Sequence, residues 1–201
     1  MFPIGRQRWF PGAHTTLAPL SFSSTAFTIR VMTRPQANEA AIYYSRYIDL
    51  VTDDDIVGRL KSQLDETKSF LEKISDEKSF YSYEPNKWTI RQVVNHINDT
   101  ERIFTSRALW FARGFAEPLP GFDQDTSAAG AEANSMSWTG LKEEFTNVRL
   151  ATISFFENLS PESWSRTGIA SDNPFTVNSL AYIIAGHVTH HQNVIAERYL
   201  G

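Results

Sequence analysis

The sequence predicts an all-α fold: a four-helix bundle with a long connection between the second and third helices, preceded by an irregular N-terminal extension. Three observations support this prediction. Four segments carry apolar residues at the 3.6-residue spacing of an amphipathic helix. No segment alternates apolar and polar residues between hairpin turns, so we expect no sheet. The chain has 201 residues, of which 41% are hydrophobic, and this is enough for one globular core.

The N-terminal extension is assigned to residues 1–31 and the bundle domain to residues 32–201. The extension is rich in Ser, Thr, Pro and aromatic residues, and arginines are its only charged residues. This composition resembles a targeting leader. A translation start assigned upstream of the true one is the interpretation we favour, because the arginines are sparse and Met32 opens the first stretch of mixed composition. A disordered extension is the third interpretation.

The first two predicted helices have clear amphipathic patterns. The first spans about Asp54 to Ile74, with apolar residues at helical spacing. The second follows Thr89 and ends near Arg113. Its first residues fit a capping box, in which the Thr89 hydroxyl accepts from a backbone amide and Gln92 reaches back to the cap.

The last two predicted helices complete the bundle. The third spans about Trp138 to Asn158, and the fourth follows Thr176 and continues to about Tyr199. Residues 114–137 connect the second helix to the third. Connections of this length are often lids, binding loops or crossovers, so this one either covers a site or simply wraps over the surface.

Composition excludes several classes of function. The chain has no cysteine, which excludes disulfides, thiolate zinc sites, iron–sulfur clusters and a cysteine nucleophile. Any metal must therefore be bound through nitrogen and oxygen. The lack of cysteine fits a cytoplasmic protein, the location we predict, although it leaves the redox compartment open.

Charge and hydropathy limit the partners. Residues 1–38 carry a charge of +4 and the other 163 residues carry -8, so the folded part is acidic. An acidic domain without a basic stripe does not favour a nucleic-acid partner. No apolar run reaches the roughly 18–20 residues that cross a bilayer, so we expect no membrane partner.

Three histidines carry the main functional indication. His187 and His191 lie four residues apart within an apolar helical stripe, so their rings project from one face of the fourth helix. His96 lies beside apolar residues on the second helix. Unpaired buried imidazoles cost about 1–3 kcal/mol each, and a divalent metal bound by all three removes that cost. A hydrogen-bonded histidine pair is the alternative. His190 points about 100° away from His191 and is expected in a supporting or surface position.

Other metal sites fit the sequence less well. A zincin requires HExxH, but Val188 follows His187, so the carboxylate base is missing. A di-iron carboxylate bundle requires Glu-x-x-His pairs, which the predicted helices lack. Haem ligation by histidine requires a large cavity that the sequence does not reveal.

Two segments carry a family resemblance. They are Trp88-Thr89-Ile90-Arg91-Gln92-Val93-Val94-Asn95-His96-Ile97-Asn98-Asp99-Thr100-Glu101 and His187-Val188-Thr189-His190-His191-Gln192. Together with the helix order, they resemble the DinB-like superfamily of metal-binding four-helix bundles, over about Ile56 to Leu200. The resemblance implies nickel or zinc bound by His96, His187 and His191, and an association with bacterial S-transferases that use bacillithiol, mycothiol or glutathione. Some relatives are hydrolase-like. Several relatives have a further histidine where this chain has Glu101.

The resulting hypothesis is a metal-dependent transferase in which a metal-bound low-molecular-weight thiol attacks an electrophilic small molecule. The thiol comes from a cosubstrate, since the chain has no cysteine. Asp99, one turn after His96, is the candidate to orient a ligand imidazole or to act as a base, and Glu101 is a second candidate. Arg91 and Arg107 are candidates to bind a cosubstrate carboxylate, or are ordinary surface charges of the helix.

Two alternatives use the same histidines. A metal hydroxide on the three ligands would hydrolyse a small amide or ester. A non-catalytic, metal-stabilised bundle would bind a small molecule or form a homodimer, which is plausible for helical bundles. The tryptophans fit a core or an interface better than a ligand site.

Overall fold

The computed structural model describes residues 33–201. The predicted extension, residues 1–31, lies outside the described residues, and the domain boundary beside it stays a prediction. The α-helices of the described chain are α1 (Ser45–Ile48), α2 (Ile56–Glu72), α3 (Ile90–Ala112), α4 (Gln124–Gly130), α5 (Trp138–Glu157) and α6 (Val177–Val194). A π-helical segment, Ile195–Leu200, continues α6, and short 3-10 turns lie at Ile42–Tyr44, Lys78–Phe80, Ala133–Ser135 and Pro161–Ser165.

The four long helices confirm the predicted bundle. They are α2, α3, α5 and α6, and each lies within about two residues of its predicted bounds, apart from the π-helical end of α6. Both α2 and α3 pack against α5 and α6. The buried apolar side chains of these four helices form the core, and the contact between α3 and α6 is the one that matters for the site.

Reciprocal caps fix the starts of α3 and α6. The Thr89 hydroxyl accepts from the Gln92 amide at 3.2 Å, and the Thr89 amide donates to the Gln92 side chain at 2.9 Å. This is the predicted capping box. Thr176 and Ser179 make the same pair of bonds at the start of α6. Hydrogen-bonded caps therefore fix the first residues of α3 and α6, the two helices that carry the clustered histidines.

A two-stranded hairpin corrects the expectation of no sheet. Strands β1 (Thr167–Ala170) and β2 (Asn173–Thr176) pair antiparallel just before α6. The strands have four residues each, too short to show an alternating pattern. Their turn places Ser171 and Asp172 at φ angles of 50° and 59°, as in a type I′ turn, but without the glycine that usually marks one in a sequence.

The long connection between α3 and α5 is partly ordered by neighbours. The Leu119 amide donates to the Ile169 carbonyl at 2.9 Å, so the connection lies beside the hairpin. It then forms α4, which packs against α3. None of the helices between residues 33 and 201 is long and apolar enough to cross a membrane.

The segment before the bundle also packs onto it. Helix α1, which the sequence analysis did not predict, lies against α6. The contact is so close that a Cβ on Gly186 would overlap the Tyr47 carbonyl. Glycine at this position lets the backbone of α1 approach the residue next to His187.

Candidate metal centre

Three imidazoles meet where α3 packs against α6. Nε2 of His187 lies 3.1 Å from Nε2 of His96 and 3.1 Å from Nε2 of His191. One nitrogen from each of the three rings lies within 4.8 Å of the others. The i, i+4 spacing in α6 places His187 and His191 on one face, and the packing of α3 brings His96 opposite them.

Hydrogen bonds alone do not satisfy this arrangement. A neutral imidazole has one N–H donor and one lone pair. If Nε2 of His187 carries the hydrogen, it can donate to only one of its two neighbours. If that nitrogen is unprotonated, its single lone pair must accept from both neighbours. A cation placed among the three nitrogens would instead accept one lone pair from each.

Burial keeps the rings neutral. His96 is 5% exposed and His187 is 4% exposed. Burial lowers the pKa of His96 to about 4. Burial, together with the smaller effect of the neighbouring histidines, lowers the pKa of His191 to about 3. Burial, and then the charges of the neighbouring histidines, push the pKa of His187 well below its ordinary value. At neutral pH each ring therefore offers a lone pair.

Neighbouring side chains hold the rings in place. The Thr100 hydroxyl lies 3.3 Å from Nδ1 of His96. With the proton on Nδ1, this hydroxyl accepts it, and Nε2 faces the cluster as a lone-pair donor. The Trp88 ring lies 5.0 Å from the His96 ring, and the Tyr47 ring lies 5.3 Å from the His187 ring, between centroids.

The fourth histidine of the bundle stays outside the cluster. The His190 ring packs against Tyr47, at 5.5 Å between centroids, and is half-buried. Its ring lies 5.0 Å from that of His191, at an angle of 74°. This position beside the cluster is the supporting or surface position expected from its place on the helix.

Glu101 belongs to a separate buried cluster. Both of its oxygens accept from the Arg149 guanidinium at 2.8 Å, and Arg149 also donates to the Gln63 side chain at 2.8 Å. Arg149 is 0% exposed and Glu101 is 2% exposed. Both carboxylate oxygens of Glu101 are therefore bound in the core, and its candidate role as a catalytic base stays a prediction.

Asp99 and Arg91 do not reach the histidines either. The Asp99 carboxylate accepts from Asn95 at 2.9 Å and Ser127 at 3.2 Å, so Thr100, and not Asp99, contacts the His96 ring. The Arg91 guanidinium binds the Ser79 hydroxyl, the Met136 carbonyl and the Asp76 carboxylate. These contacts tie the start of α3 to the segments around it, and the catalytic roles of both residues stay predictions.

A small cavity of about 130 Å³ opens beside two of the histidines. It is lined by Tyr43, Tyr44, Tyr47, His96, Thr100, Ile103, Phe104, Arg107, Phe122, Gln124, Ser171 and His187. Of the two arginines proposed to bind a carboxylate, only Arg107 is among them. A larger groove, of about 410 Å³, lies between α2 and α5 and contains no histidine.

Several lining residues escaped the sequence analysis. Tyr43, Tyr44 and Tyr47 come from the segment before the first predicted helix, and their spacing is the only indication that the sequence gives of a common face. Phe122 and Ser171 come from the long connection and the hairpin turn. Loops of this kind carry no periodic pattern, so only the fold brings these residues to the site.

Comparisons with known proteins agree with this fold. The sequence model of the DinB superfamily matches residues 59–195. No curated protein matches the chain. YfiT from Bacillus subtilis, described as a probable metal-dependent hydrolase with an unusual four-helix bundle topology, has a TM-score of 0.64 at 18% identity, covering 72% of this chain and 83% of YfiT. The mycothiol-dependent maleylpyruvate isomerase has a TM-score of 0.60 at 10% identity, covering 70% of this chain and 59% of the isomerase. At these identities the likeness concerns the fold.

Proposed function

This chain belongs to the DinB superfamily, and we propose that it is a metal-dependent transferase that joins a low-molecular-weight thiol to an electrophilic small molecule. The observation that carries the proposal is the convergence of three neutral imidazole nitrogens beside a cavity. We propose His96, His187 and His191 as the metal ligands. Three protein ligands leave positions open for a substrate, as in catalytic zinc sites.

Two of the three nitrogen–nitrogen distances in the cluster fit a transition-metal ion. A metal–imidazole bond is about 2.0–2.1 Å long, so two nitrogens on one ion lie about 2.9–3.4 Å apart at bond angles of 90–109°. The two distances to His187 Nε2 are both 3.1 Å. Imidazole nitrogen suits nickel and zinc, and we propose one of these as the resident metal. When bound, such an ion lowers the pKa of a coordinated thiol or water and acts as a Lewis acid.

The protein's own residues would orient and enclose the reactants. The Thr100 hydroxyl would accept the Nδ1 proton of His96 when Nε2 binds the metal, and the rings of Tyr47 and Trp88 pack against the histidines. The sulfur must come from a cosubstrate, because the chain has no cysteine. In the proposed reaction the thiol gives up its proton to solvent water and its sulfur forms a bond to the electrophilic carbon. The bond from that carbon to the leaving group breaks, and its electron pair departs with the leaving group.

Hydrolysis of an amide or ester is the second candidate, and the fold likeness to YfiT favours it. It needs a proton donor for the leaving group, which in metallohydrolases is often a carboxyl group. Within residues 33–201 the cluster of possible ligands contains histidines alone, and Asp99 and Glu101 are bound elsewhere. Asp125 is the carboxylate whose charge acts on His96, so hydrolysis would have to draw its proton from this group. Transfer of a thiol with a lowered pKa needs no such donor.

The test uses metal-loaded, tag-free protein with monochlorobimane as the electrophile. We measure the fluorescent product with glutathione, bacillithiol or mycothiol, and without thiol. The expected result is turnover that depends on a thiol, with displacement of chloride by sulfur. His191→Ala should abolish turnover, whereas His190→Ala, the matched control, should retain it.

Other outcomes have definite meanings. Thiol-independent cleavage of small esters or amides would replace the transferase with the hydrolase. A large fall in melting temperature on chelation, without turnover of any substrate, would leave a metal-stabilised binding bundle. Cytoplasmic location and a homodimeric state stay predictions, which fractionation and sedimentation of the native protein test.

A further inference from the structure

Arg107 differs from the other buried arginines of the described chain. Three arginines are buried, namely Arg91, Arg107 and Arg149. Arg91 binds the carboxylate of Asp76, and Arg149 binds that of Glu101. Among residues 33–201, no carboxylate oxygen lies within 4.0 Å of the Arg107 guanidinium, although the residue is only 5% exposed.

The contacts that Arg107 does make are neutral. One terminal nitrogen, Nη2, donates to the Pro120 carbonyl at 3.1 Å and to the Ser171 hydroxyl at 2.9 Å. These bonds fix the direction of the side chain without compensating its charge. A guanidinium stays protonated even when burial lowers its pKa, as it does here. An uncompensated buried charge costs several kcal/mol, so an anion in the cavity would gain an unusually strong partner.

The position of Arg107 relates it to the histidines. His96, Thr100 and Arg107 lie at i, i+4 and i+11 on one face of α3, and all three line the same cavity. The backbone rises about 16 Å from His96 to Arg107. Side chains on a helix lean toward its N-terminus, so the guanidinium reaches back toward the histidines. The cavity therefore has a cation at one end and the imidazoles at the other.

Aromatic side chains form the wall between these two ends. They are Tyr43, Tyr44, Tyr47, Phe104 and Phe122. The Tyr44 and Phe104 rings meet edge to face, with centroids 6.1 Å apart. Such a wall favours an apolar molecular body and excludes water, which strengthens an ion pair with the guanidinium. The volume of about 130 Å³ limits the occupant to a small molecule.

We infer that the cavity binds a small monocarboxylate with an apolar or aromatic body, whose carboxylate pairs with Arg107. The inference rests on the proposed function only in naming this acid as the substrate. Nη2 of Arg107 already donates both of its hydrogens to Pro120 and Ser171, so Nη1 and Nε are the nitrogens that would donate to the carboxylate. The acid then projects its other end toward the histidines, where the chemistry takes place.

Benzoate and benzamide test the inference on the full-length, metal-loaded protein. The two probes share size and shape but differ in charge. We expect calorimetric titration to show benzoate binding at least tenfold more tightly, which is about 1.4 kcal/mol. Arg107→Gln should reduce the affinity for benzoate to that for benzamide. Arg102→Gln is the matched control, because Arg102 lies on the same helix but pairs with Asp99 and Glu144, and it should leave benzoate binding unchanged.

A histidine variant separates this inference from the metal proposal. His191→Ala should lose the metal yet bind benzoate within about threefold of the original affinity. If His191→Ala loses benzoate and Arg107→Gln keeps it, the carboxylate binds the metal and the inference is overturned. Equal affinities of the unmodified protein for the two probes overturn it as well. Absence of metal or of thiol turnover would instead count against the proposed function alone.

A folding defect in Arg107→Gln would not block the test. Arg107→Lys keeps the charge and removes the planar fork of the guanidinium. We expect this variant to bind benzoate more weakly than the unmodified protein and more tightly than it binds benzamide. The inference is contradicted if Arg107→Lys binds benzoate as tightly as the unmodified protein does and binds benzamide equally tightly.

Discussion

Two buried polar clusters on α3 differ in how their polar atoms are satisfied. Glu101 and Arg149 form a closed ion pair in the core, with both carboxylate oxygens and three guanidinium nitrogens bound. His96 lies little more than one turn away, in a cluster whose nitrogens hydrogen bonds alone cannot satisfy. Burial is common to both clusters. What distinguishes the candidate metal centre is unsatisfied bonding capacity beside a cavity.

The largest expected effect concerns the ion pair of Glu101 and Arg149, which we call the closed cluster. Glu101→Gln removes the charge that compensates Arg149, and breaking a buried pair from one side costs about 3–5 kcal/mol. Urea unfolding should therefore show a loss of this size. The double variant Glu101→Leu with Arg149→Met should recover most of the loss, because it removes both charges. A loss below about 1 kcal/mol in Glu101→Gln would show that this cluster is not structural.

Acid should destabilise the fold through the cluster of His96, His187 and His191, which we call the open cluster. The pKa of His96 falls from 6.5 to about 4 in the folded protein, so between these values the unfolded chain binds more protons. Stability of the metal-free protein should be constant above pH 6.5 and fall as the pH drops toward 4, by roughly 3 kcal/mol from this group. Unfolding measured across pH 4–8 tests this sign. His96→Ala should flatten the slope, and a flat profile in the unmodified protein would contradict the burial of neutral rings.

Packing beside the open cluster gives a smaller effect. Gly186→Ala places a Cβ against the Tyr47 backbone, and relieving the overlap should cost about 1–3 kcal/mol. Gly130→Ala is the control, because nothing lies within 4 Å of its added Cβ. It should change stability by less than about 1 kcal/mol. Equal effects of the two substitutions would contradict the close contact between α1 and α6.

The smallest expected effect is on ring orientation. Thr100→Val keeps the side-chain shape but removes the hydroxyl beside His96 Nδ1. Partners of metal-bound histidines typically contribute 10–100-fold in affinity, so we expect metal binding to weaken about tenfold. Thr105→Val is the control, since Thr105 bonds to Thr152 on α5. A similar loss in both variants would point to a general loss of packing.

The sequence predicted the parts of the fold that depend on local patterns. Apolar spacing located the four long helices, and Thr89 with Gln92 located the start of α3, because amphipathic helices and caps are written within a few neighbouring residues. The hairpin was missed because its turn residues, Ser171 and Asp172, lack the usual glycine. Helix α1 was missed because its four residues are too few for a helical period.

In the candidate site, the positions of the histidines could be predicted from the sequence, but the partners of the charged residues could not. His187 and His191 are related by helix geometry, so their pairing follows from sequence, and the convergence of His96 needed only adjacent helices. The sequence did not show which charged residues near His96 contact its ring. Asp99, Glu101 and Arg91 were selected for closeness in sequence, but their actual partners lie far along the chain, such as Arg149 for Glu101. Such partners depend on packing between helices.

The most direct test of the account is the metal content of tag-free protein and of its histidine variants, measured by mass spectrometry after gel filtration. We predict about one equivalent of nickel or zinc per chain in the unmodified protein and in His190→Ala. We predict almost none in His96→Ala and His191→Ala, with both variants still folded. A stoichiometric metal retained by His96→Ala and His191→Ala would contradict a site built on the three converging imidazoles.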